Sequence, residues 1–225
     1  MASLFAGISA LSTTNVAVHQ NAFRAARMNR FMSIVDQVLA IKRACSIVDI
    51  GGTVAYWLAA EAMWGHKNVI LTVVNLMKFE DTHPKVTQVI GNACDLSQFQ
   101  DYSFDIAHSN SVIEHVGRWS EKDLVAREIR RVARRYFVQT PAMWFPIEPH
   151  YRAPFVHWLP PQVRAHLLMR FPMGFYRRAT TFAEAMMTTQ DAELLSFPEM
   201  QALFPDAVIE RERFLGMTKS LIAIR

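Results

Sequence analysis

The stretch Ile47-Val48-Asp49-Ile50-Gly51-Gly52-Thr53 decides the fold. A run of strand-forming residues, with one carboxylate near its end, stops at two glycines, and the residues from Thr53 to Trp64 then continue without Gly or Pro until Gly65. The pattern is a strand turning into a helix. Glycines in such a turn let a ligand approach the backbone, and the same turn also serves as a plain strand-to-helix connection.

Working outward, further short apolar runs fall at Cys45 to Ile50, Val69 to Val74, Val86 to Ile90, Phe104 to Ala107 and Tyr136 to Gln139. None alternates with polar residues, as a half-exposed strand would, so each is expected to be covered by helices on both faces. Upstream, Asn15 to Ile41 lacks Gly and Pro and repeats Phe23, Met28, Phe31, Ile34, Val35 and Val38 at helical spacing, which predicts one or two amphipathic helices. Downstream, Ser120-x-x-Asp123 resembles a capping box ahead of the stripe Val125, Ile129 and Val132, and Ser196 with Glu199 gives a second box for a helix through Phe204. Ala207 to Phe214 and Lys219 to Ile224, separated by Leu215-Gly216-Met217-Thr218, close the chain as a hairpin.

The expected fold is α/β: a doubly wound, Rossmann-like, seven-stranded and mostly parallel sheet closed by a C-terminal antiparallel hairpin. One domain is expected over residues 1–225, with N-terminal helices at 1–42, a core at 43–140, an insertion at 141–190 and a closing helix and hairpin at 191–225. No apolar run approaches the ~20 residues that span a bilayer, so no membrane partner is expected. Met1 to Ala10 lacks the basic start and cleavage site of a signal peptide, and Cys45 and Cys94 are expected to stay reduced, each read as lying in or at the end of a buried strand; together these predict a cytoplasmic protein. The net charge of +4 comes from arginine clusters rather than a basic tail.

The segment Val89-Ile90-Gly91-Asn92-Ala93-Cys94-Asp95-Leu96, followed by Tyr102-Ser103-Phe104-Asp105-Ile106-Ala107-His108-Ser109-Asn110-Ser111-Val112-Ile113-Glu114-His115-Val116, resembles the class I S-adenosylmethionine-dependent methyltransferases, in particular their bacterial small-molecule, type 11-like members. The closing stretch from Leu203 to Ser220 resembles the hairpin of the same proteins. The resemblance implies S-adenosyl-L-methionine as cofactor and methyl transfer to a small-molecule acceptor. It places Asp49, Gly51, Gly52 and Thr53 around the methionine part, Asn75 and Leu76 beside the ribose, Asn92, Ala93 and Asp95 at the adenine, and Ser109 and Asn110 near the amino group and the methyl. Two features depart from the pattern. Thr53 and Ala55 stand where further glycines are usual, and Asn75 replaces the usual acid, so Asn75→Asp is expected to preserve or strengthen binding.

Methyl transfer requires alignment of the reactants and exclusion of water, and an oxygen acceptor adds the need for a general base. The insertion Thr140-Pro141-Ala142-Met143-Trp144-Phe145-Pro146-Ile147-Glu148-Pro149-His150-Tyr151, running on to His157 and Trp158, is read as a lid whose stretch Trp144 to Trp158 walls the acceptor pocket. His150 and His115 are the candidate catalytic residues, with Glu148 and His157 as further base candidates. No metal-ligand spacing is present. Arg127, Arg130, Arg131, Arg134 and Arg135 are read as the solvated face of the helix after Ser120. Arg164, Arg170, Arg177 and Arg178 lie in or beside the lid, either as surface or as an attraction for an anionic substrate. The competing readings are an RNA or other nucleic-acid methyltransferase, disfavoured by Ser109-Asn110-Ser111-Val112 after strand four, and a non-catalytic methyltransferase-like fold. The oligomeric state is not written in the sequence.

Overall fold

A computed structural model describes residues 22–225. The part of the predicted N-terminal helices before residue 22 lies outside the described residues. Seven strands form one sheet: β1 (Cys45–Ile50), β2 (Val69–Asn75), β3 (Val86–Ile90), β4 (Phe104–Asn110), β5 (Ala133–Pro141), β6 (Val208–Phe214) and β7 (Met217–Ile224). Their order is β3-β2-β1-β4-β5-β7-β6, parallel throughout except that β7 runs against both β5 and β6. The strand order reverses between β1 and β4, the switch point beyond whose C-terminal strand ends a doubly wound sheet has its ligand crevice.

The side-chain alternation of β1 sorts the core. Ile47 packs on one face, under α1 (Ala22–Leu39), α2 (Val54–Ala59) and α3 (Glu61–Trp64), with Phe31, Trp57 and Trp64 beside it. Val48 and Ile50 pack on the other, under α4 (Trp119–Val132) and α7 (Phe197–Leu203), with Val125, Ile129, Met200 and Leu203. Between β5 and α7, helices α5 (Pro161–Arg170) and α6 (Phe182–Thr189) belong to an insertion with a small core of its own, built on Tyr151, Val156, Ala165, Leu168, Ala179 and Ala185.

Local details differ from expectation for physical reasons. The helix read from Thr53 to Trp64 breaks at Ala60, whose backbone leaves the helical region, and Thr53 caps the first piece by accepting from Tyr56 N–H. Ser120 caps nothing: α4 starts one residue earlier with Arg118 at the N-cap, and the Ser120 hydroxyl donates to Glu121. Arg134 and Arg135 belong to β5, because Ala133 turns the chain straight from helix into strand. Arg131 is no free surface charge; it is held by Glu128, Asp101 and the Phe99 and Leu96 carbonyls. The Ser196–Glu199 capping box is present. Cys94 sits in the turn after β3 rather than in a strand, and both cysteines are free thiols; burial and the nearby Asp105 push Cys45 up to about 12. Among the described residues no helix is long and apolar enough to cross a membrane.

Candidate active site

The parallel register of β1 and β4 sets Asp49 beside His108. Both side chains point into the α1/α2 layer, where Asp49 is 1% exposed and His108 is packed by Phe31, Tyr56, Trp57 and Phe137. His108 Nδ1 donates to Asp49 Oδ1 at 2.7 Å and Trp57 Nε1 donates to Asp49 Oδ2 at 2.6 Å. The carboxylate therefore supports the glycine turn from beneath. A Cβ on Gly52 would lie 1.7 Å from Asp49 Oδ2, and one on Gly51, whose φ is +77°, would lie 2.5 Å from Val112 Cγ1. Both glycines answer to the protein's own atoms.

Asn75 locks the same turn from the side. Its Nδ2 donates to the carbonyls of Gly51 (3.2 Å) and Gly52 (2.9 Å), while its Oδ1 accepts from Leu76 N–H. A carboxylate cannot donate, so Asn75→Asp would give up both bonds to the glycine carbonyls. Asn92 Oδ1 accepts from Cys94 N–H and Asp95 Oδ1 from Ser97 N–H, shaping the exposed turn after β3. Ser109, buried, donates to the Ile50 carbonyl, and Asn110 accepts from Arg27, reaching over from α1.

The insertion side of the crevice is built otherwise. Glu148 is buried and accepts from the backbone N–H groups of His150 and Tyr151, both at 2.7 Å, and from His150 Nδ1. The His150 ring stands edge-on to His115, centroids 4.8 Å apart, and stacks near Tyr176. His115 Nδ1 donates to the Asp191 carbonyl, and Tyr176 donates to Asp191 Oδ2. Glu114 completes the group: it is buried, its Oε2 accepts from Thr140 at the end of β5, and its Oε1 has no hydrogen-bond partner. With Nδ1 donating in both imidazoles, the neutral form of each carries its lone pair on Nε2. Burial lowers the His150 pKa, but the Glu148 hydrogen bond and the charges of Glu148, Glu114 and Asp191 outweigh it, for a net rise above the ordinary histidine value. Burial keeps the Tyr151 and Tyr176 phenols protonated.

His115 and His150, from separate segments, are thus brought together at the ends of β4 and β5. His157 is apart from them, bonded to the Met143 carbonyl. The aromatics expected to wall the pocket divide: Tyr151 is buried, whereas Trp144, Phe155 and Trp158 stand in solvent. Sequence reading did not find Glu114, Tyr176, Asp191 or the Asp49–His108 pair. Only the strand register and the path of the insertion bring these residues to their partners. The Asp105 of Ser103-Phe104-Asp105 lies at the opposite, N-terminal end of the parallel strands, where it binds Lys42 and Ser46.

Residues 49–136 match the sequence profile of a family described as a methyltransferase domain. Over this stretch the chain is similar to methyltransferase domains. The stretch runs from the end of β1 through β2, β3 and β4 into the start of β5, takes in the glycine turn and the Glu114-His115 pair, and ends before the insertion. Solved structures share the fold. An O-methyltransferase family protein from Burkholderia thailandensis aligns over 91% of this chain and 58% of its own, at 16% identity and TM-score 0.51. The 1,6-didemethyltoxoflavin-N1-methyltransferase of the same organism, with 1,6-didemethyltoxoflavin and S-adenosylhomocysteine bound, aligns over 88% and 77%, at 15% and 0.51. A structure described as a putative Zn-dependent alcohol dehydrogenase from Rhodobacter sphaeroides aligns over 80% and 83%, at 9% and 0.51. At such identities the likeness is one of fold. The chain spans less than two thirds of the O-methyltransferase family protein. No curated protein matches the sequence.

Proposed function

We propose that the chain is an S-adenosylmethionine-dependent methyltransferase acting on a small molecule with an ionisable N–H or O–H acceptor. The observation that carries this reading is the group of buried Glu114, Glu148 and His150 with half-buried His115 at the ends of β4 and β5, on the insertion side of the stretch that matches a methyltransferase domain.

The residues present fit the cofactor in a particular way. Gly51 and Gly52 leave the turn backbone half-exposed at the crevice, and Leu76, Asn92 and Asp95 are exposed at the ends of β2 and β3. Backbone from Gly51 to Thr53 would hold the methionine part, Asn75 and Leu76 would flank the ribose, and Asn92, Ala93 and Asp95 would meet the adenine. Asp49 and Ser109 are buried and hydrogen-bonded within the fold, so their part is to fix the turn. When bound, S-adenosylmethionine supplies a methyl group made electrophilic by the sulfonium.

The chain's own task is to orient the acceptor, exclude water and receive a proton. His150 Nε2 takes the acceptor's proton, with Glu148 fixing the tautomer and stabilising the imidazolium. His115, held by Asp191, orients the acceptor against it. Residues 141–190 act as the lid. The test is calorimetric titration with S-adenosylhomocysteine, followed by an acceptor screen with His150→Gln as control. Micromolar binding and turnover lost in the variant support the reading. Failure to bind S-adenosylhomocysteine overturns it in favour of a non-catalytic methyltransferase-like fold.

A further inference from the structure

The outer surface of the insertion joins two features that oppose each other on an ordinary soluble surface: large apolar side chains in solvent and charge predominantly of one sign. Trp144 is 67% exposed and Phe155 52%, and Trp158 stands between them, its ring centroid 6.1 Å from Trp144 and 5.1 Å from Phe155. The backbone bridge between Ile147 and Pro154 carries exposed Ile147 to the same ridge. A second segment joins it: Phe145 packs edge-on against Phe214, and Leu215, at the tip of the β6–β7 hairpin, is 81% exposed.

This exposure is held against local backbone cost. Phe155 has φ +65° and Leu215 φ +49°, a region that bulky residues seldom enter and that costs on the order of 1–3 kcal/mol each. The charge is equally one-sided. From Pro141 to Ala183 the only acidic residue is Glu148, which is buried, against arginines at 152, 164, 170, 177 and 178, of which all but Arg164 are exposed. Over residues 141–190 four exposed arginines thus stand against one solvent-facing carboxylate, Glu184 beside Arg177, so the charge the insertion shows is predominantly positive. Arg152 also lies over the Phe175 ring at 4.0 Å, placing cation and apolar surface together.

Tryptophan and phenylalanine beside arginine is the composition of surfaces that seat at the boundary between headgroups and acyl chains. We propose that this face of the insertion docks on an anionic lipid bilayer surface, with the Trp144–Phe155–Trp158 ridge and the Leu215 tip entering the interface and Arg152, Arg170, Arg177 and Arg178 meeting lipid phosphates. The attachment is peripheral, as no helix of the described residues spans a membrane. It opens the acceptor side of the crevice toward the bilayer.

The test is flotation of the purified chain with vesicles of phosphatidylcholine containing about a third phosphatidylglycerol, beside vesicles of phosphatidylcholine alone, at low and raised salt. Retention on the anionic vesicles only, weakened by salt, is expected. Combined Arg170→Ser, Arg177→Ser and Arg178→Ser should weaken it roughly a hundredfold, at about fivefold for each charge. Combined Trp144→Ser, Phe155→Ser and Trp158→Ser should abolish it with an unchanged circular dichroism spectrum. The arginine variant leaves the ridge intact, so the proposal does not depend on one set of substitutions. Vesicle binding is read without turnover, so its outcome is separate from that of the methyltransferase reading. Three outcomes overturn the proposal: no retention on anionic vesicles, equal retention of wild type and both variants, or a dimer in light scattering that the serine ridge variant dissolves while vesicles bind neither protein.

Discussion

The two sides of the crevice, the glycine turn after β1 and the insertion after β5, handle their polar groups in opposite ways. At the turn every polar side chain is consumed by the fold: Asp49 by His108 and Trp57, Asn75 by two glycine carbonyls, Ser109 by Ile50. Among the described residues, buried groups at the insertion keep spare atoms, Glu114 Oε1 for one, and within those residues His115 and His150 each make their hydrogen bond through Nδ1. A buried polar atom without a partner is costly unless a ligand or water satisfies it. The turn is thus a rigid backbone surface, and the insertion holds the groups that respond to what binds.

Substitution of Gly52 should break the rigid side most severely. In Gly52→Ala the new methyl falls on Asp49 Oδ2, and moving that carboxylate gives up two hydrogen bonds in a buried setting. A loss of about 3–5 kcal/mol is expected from disrupting such a buried charged group. Urea unfolding followed by circular dichroism measures it, and a loss below 1 kcal/mol would mean that Asp49 is free to move.

The responsive side is read by pH. His150→Gln should lower kcat by about a hundredfold or more, the usual range for loss of a general base. Wild-type kcat/KM should rise with pH through a midpoint above the ordinary histidine value, because the base is the neutral imidazole and Glu148 favours the charged one. Glu148→Gln should move that midpoint down. The same linkage acts on stability. A histidine whose pKa is raised by folding contributes fully below its unfolded value and loses that contribution as pH rises through the folded value. Wild type should therefore lose more stability than Glu148→Gln between mildly acidic and alkaline pH.

Asn75→Asp sharpens the comparison at smaller scale. A carboxylate would face the Gly51 and Gly52 carbonyls with no proton to give, at a cost of about 1–3 kcal/mol. Thermal melts with and without S-adenosylhomocysteine check it. A variant as stable as wild type and tighter for the ligand would restore the ribose role that the sequence pattern implied.

The difference between the sides also explains what was legible in the sequence. The strands themselves, the glycine turn and the closing hairpin follow from short-range signals: apolar runs, Gly51-Gly52, and Leu215-Gly216. His108 showed no such signal, because its partner Asp49 lies 59 residues away and meets it only through the β1–β4 register. His150 and His115 were visible as candidates, but their meeting, and Asp191 behind it, depend on the fold of the insertion. Ser120 misled because Arg118 begins the helix ahead of it.

The smallest expected effect on stability is at Trp144, and its contrast with Trp57 tests the division directly. Trp57 is fully buried, touches Phe31 and Trp64, and donates to Asp49, so Trp57→Ala should cost about 3–5 kcal/mol, as large aromatic truncations in cores do. Trp144 is two-thirds exposed, and its ring contact is with Trp158, itself exposed. Replacing it by serine should change unfolding free energy by no more than about 0.5 kcal/mol, the range of ordinary surface sites. If Trp144 instead sealed the pocket as an internal wall, its truncation would open a cavity and cost several times as much. Matched urea titrations of Trp57→Ala and Trp144→Ser decide between these, since a comparable loss in both would place Trp144 in the core and remove the apolar ridge from the surface.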